Sequence, residues 1–213
     1  GIDKAFTALS GPANINIVAN ERYARADTSV EAQVLKILAA KPDAVLIGGS
    51  GTPGALPAIS LAGRGYKGAV YGNHGMVNPD FLRVGGKSVE GLIAPTGPLV
   101  VVELLPDSSP VKSIASSFVK AYDAAYGVQN RNAFAGYAYD ANVLLEKAAP
   151  EAMKTAKPGT PAFRAALRNA LENLREVAGT HGVYTMSPAN HNGMDARARV
   201  MVKVESGAWK MLQ

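Results

Sequence analysis

Between Lys41 and Gly97 one pattern repeats. A short apolar run ends in a glycine-rich turn, and a helix-like stretch carries the chain to the next run. The first unit reads KPDAVLIGGSGTPGALPAISLAGRGY (41–66) and the second KGAVYGNHGMVNPDFLRVGGKSVE (67–90), while GLIAPTG (91–97) opens a third. Apolar runs joined by helical connectors at this spacing predict parallel βαβ units, whose strands are buried on both faces and need not alternate. In open sheets of that kind ligands bind beyond the carboxyl ends of the strands. The segments to watch are therefore Gly49–Gly54, Asn73–Met76 and Pro95–Pro98.

The 213 residues, 47% hydrophobic and 18% charged, allow one large or two modest globular domains. No apolar stretch approaches the roughly 18 residues needed to cross a bilayer. The opening GIDKAFTALSG lacks a basic region followed by an apolar one, so no secretion signal is expected there; a removed signal would leave no trace. With no cysteine, disulfides and thiolate metal sites are excluded. The net charge of +5 comes from scattered Lys and Arg without interleaved aromatics, which argues against nucleic-acid binding.

INIVANERY (15–23) reads as a strand, and Asp27 or Thr28 as the cap of a helix over Ser29–Ala40 whose stripe is Val30, Val34, Ile37 and Leu38. Further helices are expected from Pro53 towards Leu61 and from Pro79 to about Val84. PLVVVELLPDSSP (98–110) is expected to be extended. Three strong helices come next, over Pro110–Tyr126, Phe134–Ala148 and Thr160–Leu174, the last capped by Thr160 and burying Phe163, Leu167, Leu171 and Leu174. GVYTMSP (182–188) reads as a strand, ANHNGMDAR (189–197) as a loop, and RVMVKVESGAWKM (199–211) as an alternating strand and turn that returns to a sheet. The helices of 110–174 have too few strands in their own segment to cover their apolar faces.

Gly49, Gly51 and Gly54 form GxGxxG after a strand, the dinucleotide fingerprint. The next strand, however, ends in Tyr71-Gly72-Asn73-His74, with no carboxylate for a ribose. Gly85-Gly86-Lys87-Ser88 resembles a phosphate loop, but Phe81 stands where the first glycine is needed. Ser50 lacks the final glycine of a nucleophile elbow, because Thr52 replaces it. Of the histidines, His181 and His191 lie in polar stretches and are expected to be solvated, and none has metal-ligand spacing. His74 sits in the second strand-end turn, placed either to bond the turn or to contact a ligand. Tyr137 and Tyr139, two apart on a helix, cannot share a face, so one can pack while the other looks out.

Taken in order, ERYARADTSVEAQVLKILAAKPDAVLIGG (21–49), GRGYKGAVYGNHG (63–75), LIAPTGP (92–98), YAYDANVLLEKA (137–148), FRAALRNALEN (163–173) and the final GVYTMSPANHNG with VMVKVESGAWKM resemble the ABC-transporter solute-binding proteins of the branched-chain amino-acid type. The resemblance runs from about Asn14 to Trp209 and is nearest to members that take up aromatic or other hydrophobic carboxylates. It implies an α/β fold of the type I periplasmic-binding-protein kind: a Rossmann-like parallel-sheet lobe plus the helical remainder of a second lobe. On that pattern residues 1–97 with 195–213 form lobe two, and 98–194 the second visit to lobe one, with the family's first visit to lobe one not represented. The family closes its lobes on a ligand by hinge motion about strands such as Ile93–Pro98. Gly49, Ser50, Gly51, Asn73, His74, Gly75 and Met76 match ligand-lining turns, and Tyr139 matches an aromatic lining residue. His74 falls where amino-acid binders carry the acid that pairs with an ammonium group.

The resemblance implies a non-enzymatic, periplasmic solute carrier without metal or cofactor, serving the membrane permease of an ABC importer. Its ligand would be a small hydrophobic or aromatic carboxylate or a branched-chain amino acid. Two rivals remain: an NAD(P)-dependent oxidoreductase using Gly49, Gly51 and Gly54, and a ligand-sensing receptor domain of the same fold.

Overall fold

The computed structural model describes residues 2–212. The chain divides into two compact units, the first reaching Pro95 and resuming at Met201, the second spanning Thr96–Val200.

In the first unit the βαβ repeat is realised. Helix α1 (Ile2–Ser10) and α2 (Glu31–Ala39) precede β1 (Ala44–Leu46), α3 (Ala55–Gly63), β2 (Ala69–Tyr71), α4 (Pro79–Gly85) and β3 (Ile93–Thr96). A hairpin of β6 (Val200–Glu205) and β7 (Ala208–Met211) completes a sheet of order β1-β2-β3-β6-β7. β1 and β2 run parallel with Ala44 opposite Ala69 and Leu46 opposite Tyr71, and β2 is parallel to β3. The core gathers Val34, Leu61, Phe81, Val89, Leu92, Val202 and Val204, all essentially inaccessible. Phe81 stacks on Trp209 at 6.0 Å.

Three expectations for this unit are corrected. Residues 15–23 form no strand, because none of their amides finds a ladder partner; β propensity makes a strand only beside a neighbour that accepts its N–H groups. Side-chain bonds hold this run instead, Asn20 and Arg22 to Asp3 and Lys36 to Glu21. Asp27 does not cap α2. Its carboxylate accepts the amide of Ala24, and Val30 occupies the cap position without a side-chain bond. Nor are β1 and β2 buried on both faces: Val45 is buried while Leu46 and Tyr71 are more than a third exposed, so one face of these strands stays open.

The second unit contains α5 (Lys112–Tyr126), α6 (Ala133–Met153), α7 (Pro161–Glu172) and a small antiparallel pair, β4 (Val177–Ala178) with β5 (Val183–Tyr184). Thr160 caps α7 as expected, accepting the Phe163 amide at 3.1 Å. α6 runs past the anticipated end and through Pro150, which forfeits one ladder bond without stopping it. The run after Gly97 is not extended. Residues Pro98–Leu104 coil into 3-10 turns with a kink at Val101, burying Leu99, Val101 and Val102. Pro98 presets the first dihedral, and local bonds such as Val100 N–H to Gly97 O at 3.3 Å replace the missing ladder. α7 buries no residue fully, so Phe163, Leu167, Leu171 and Leu174 are half-covered. Phe134 and Tyr126 remain exposed.

The centre of this unit is polar. Asp140, 1% exposed, accepts the amides of Thr180 (2.5 Å) and His181 (3.0 Å) and the hydroxyl of Tyr184 (2.8 Å). Burial and the adjacent carboxylate push the Tyr184 phenol far up, so it stays a donor. His181 is not solvated, contrary to expectation: it is fully buried, stacked on Tyr137 at 4.0 Å and packed against Gly97 and Gly136. Its Nε2 lies 2.9 Å from the Ala133 carbonyl, which can only accept, so that nitrogen carries the proton. The Asp140 carboxylate, by capturing two consecutive amides, fixes the turn that inserts this ring.

Asp140→Ala should therefore destabilise the protein by about 3–5 kcal/mol, because two buried amides and a phenol lose their acceptor. Tyr184→Phe, which removes one charge-assisted bond, should cost about 2 kcal/mol. Urea unfolding checks both; a loss under about 1 kcal/mol for Asp140→Ala would contradict the assignment.

Candidate functional site

The parallel register of β1 and β2 places the turns at their carboxyl ends side by side, and Ile47 N–H continues the pairing to Tyr71 O at 2.8 Å. Beyond that bond the strands give way to two 3-10 turns, Thr52–Gly54 and His74–Met76. The first holds Pro53 as its second residue, where the missing N–H would be unpaired anyway. The second starts at Asn73, whose side chain accepts the Gly75 amide at 2.7 Å.

Of the residues singled out from sequence, Gly49, Ser50, Gly51, Asn73, His74, Gly75 and Met76 come together here. The Gly51 amide donates to Gly75 O at 3.0 Å, and the Asn73 amide group reaches Gly49 O. Met76 is fully buried against Gly54 and Gly72, so it anchors the turn and presents no surface. Ser50 is exposed and His74 half-exposed. Burial lowers the His74 pKa below the ordinary imidazole value, which keeps the ring neutral at pH 7. Tyr139 belongs to the second unit, where it keeps an exposed face and rests on Phe118 at 4.8 Å. Tyr137, two residues away, turns inward onto His181, so the pair divides as the helical spacing requires.

Two glycines here have distinct reasons. Gly51 has φ 62° and ψ −156°, a conformation essentially reserved for glycine, while a Cβ there would meet only Pro53 Cδ, at an ordinary contact distance of 3.9 Å. Gly49 is needed for close approach, since a Cβ there would overlap the Tyr23 hydroxyl. That hydroxyl donates to Pro53 O at 3.2 Å, a second side-chain tie on this turn besides that of Asn73. The sequence carries no signal for this role of Tyr23, which reads there as one more aromatic in an expected strand.

This geometry fits a nucleotide poorly. A phosphate cradle needs outward amides, whereas the Gly51 amide is committed to Gly75 O and the Gly54 amide to Gly51 O. No group of three or more His, Asp or Glu suited to a metal occurs among the described residues. No helix among them is long and apolar enough to cross a membrane.

Comparison with known proteins agrees with this architecture. A solved structure from Rhodopseudomonas palustris (strain CGA009), Rp1789, shares 43% identity and superposes with a TM-score of 0.94, covering 99% of this chain and 60% of its own. An extracellular ligand-binding receptor from Rhodopseudomonas palustris HaA2 shares 41% identity with a TM-score of 0.95, covering 99% of this chain and 59% of its own. The leucine binding protein LivK of Thermotoga maritima, at 23% identity and a TM-score of 0.80, covers all of this chain and 55% of its own and shares the fold. The chain thus spans about 60% of the length of the first two relatives. No curated protein sequence matches it. The periplasmic binding protein family profile matches residues 1–208, and with that extent of agreement the chain belongs to the periplasmic binding protein family.

Proposed function

We propose that the protein is the solute-binding component of an ABC importer, and that the β1 and β2 turns contact a small hydrophobic or aromatic carboxylate. Family membership supports ligand binding outside the cytoplasmic membrane, and a relative at 41% identity is described as an extracellular ligand-binding receptor. On this reading the two units are the remainders of the family's two lobes, and a membrane permease receives the solute.

The observation that carries the ligand class is the composition of the second turn. Tyr71 to Met76 contains no Asp or Glu, and His74 is held neutral. An ammonium group in a desolvated site needs a fixed negative charge, since burying it unpaired costs several kcal/mol. A neutral imidazole can instead donate to a carboxylate. The exposed Ser50 hydroxyl adds a second donor. Leucine-binding LivK shares the fold at 23% identity, which makes amino acids the class to test against.

Benzoate, phenylacetate and 4-methylpentanoate should raise the melting temperature of the full-length protein more than phenylalanine or leucine do. A larger shift with the amino acids, unchanged by His74→Ala, would contradict the reading. The His74 pKa lies below the usual 6.5 in the free protein, and a bound anion favours the imidazolium form. Carboxylate affinity should therefore rise as pH falls below about 6.5, in the range where the carboxylate stays ionised, and become flat in His74→Ala.

Gly51→Val should remove most of the ligand-induced thermal shift while the free protein still melts cooperatively. The strained backbone costs about 1–3 kcal/mol, a fraction of total stability, but displaces the turn. Loss of cooperative melting in Gly51→Val would mean that the turn is chiefly structural.

A further inference from the structure

We propose that Asn73 is a positioning residue: its side chain is a cross-strand bolt that holds the two turns as one platform, and it does not itself contact the solute. The proposal rests on the reading of these turns as the ligand site. Its geometric half stands on hydrogen bonds within the first unit.

A carboxamide offers two N–H donors and one carbonyl acceptor. At Asn73 both kinds of group are committed. Nδ2 donates to Gly49 O and, at 3.5 Å, to Ile47 O, while Oδ1 accepts the Gly75 amide at 2.7 Å. Two carbonyls on one side and an N–H on the other leave a single sensible orientation for the amide. The first two partners lie at the end of β1 and the third in the turn after β2. The side chain therefore spans the two strand ends at the point where the parallel ladder has stopped.

The backbone completes the connection. Gly75 O receives the Gly51 amide at 3.0 Å and the Asn78 side chain at 3.4 Å, and Asn73 O receives the Met76 amide at 3.1 Å. A Cβ on Gly75 would lie 2.8 Å from the Ser50 Cβ, so the turns touch without a gap. Ser50 and His74, the side chains proposed above to meet the solute, belong to opposite sides of this contact. Their separation is then set by the Asn73 bonds. Only asparagine suits the position. Aspartate keeps the acceptor but turns an anionic oxygen onto two carbonyls, and alanine leaves two carbonyls and one amide without partners.

The test uses Asn73→Asp and Asn73→Ala in the full-length protein. Amide hydrogen exchange is followed by mass spectrometry in the absence of solute, and affinity by calorimetry with benzoate. Both variants should speed exchange in the peptides covering 49–54 and 73–77 by about tenfold, the equivalent of roughly one lost hydrogen bond, with peptides from α3 and the β6–β7 hairpin unchanged. Benzoate affinity should fall by tenfold or more. Unchanged exchange in both turns, or faster exchange throughout the first unit, would overturn the proposal. Unchanged exchange with lost affinity would make Asn73 a direct contact, and overturns it equally. Faster exchange confined to the turns with affinity intact would leave the bolt standing and remove the ligand-site reading instead.

Discussion

The parallel pairing of β1 with β2 is the constraint on which the site depends. Because Ala44 faces Ala69 and Leu46 faces Tyr71, both strands end at the same level and both turns emerge on the same edge of the sheet. Parallel ladders stop abruptly, since each connection must leave the sheet to enter a helix. Past the last ladder bond, Ile47 N–H to Tyr71 O, the chain has to be held by other means. The Asn73 side chain, the Gly51–Gly75 backbone bond and the Tyr23 hydroxyl supply them. Each uses up polar groups that an anion or nucleotide would otherwise claim.

The second unit solves a similar problem by burying a charge. Its two short strands, β4 and β5, give the segment around Gly179–Gly182 little ladder support. Asp140 supplies the missing acceptor from α6, and the stacked rings of Tyr137 and His181 fill the space around it. A carboxylate at 1% exposure is tolerable because the groups bonded to it are donors. Arg131 plays a comparable part nearer the surface, joining Asp123 of α5 to Glu103 with contacts of 2.5 Å to each.

How much of this is legible in the sequence varies by element. The βαβ repeat, the helix cap at Thr160 and the returning hairpin can be read because their signals are local: periodicity, a capping hydroxyl, alternation around Ser206-Gly207. Residues 15–23 and Pro98–Leu104 mislead because a β-rich composition does not say whether a neighbouring strand exists. His181 misleads because polar neighbours in sequence say nothing about the ring it stacks on. Asp140 carries a usable signal, as it falls in helical phase with the buried Ala133, Gly136 and Val143. Among the site residues, the strand-end position of Gly49–Gly51 and Asn73–Met76 follows from the fold class. The inward role of Met76 and the bridging role of Asn73 do not, because both depend on the distance between two turns 24 residues apart in sequence.

An NMR titration of the isotopically labelled full-length protein with benzoate tests the central claim most directly. Saturable shifts of the Ser50, Gly51, His74 and Gly75 amides, with the α3 amides unmoved, are the predicted result. Saturable binding that leaves all four of those amides unchanged would contradict the assignment of the β1 and β2 turns as the solute site.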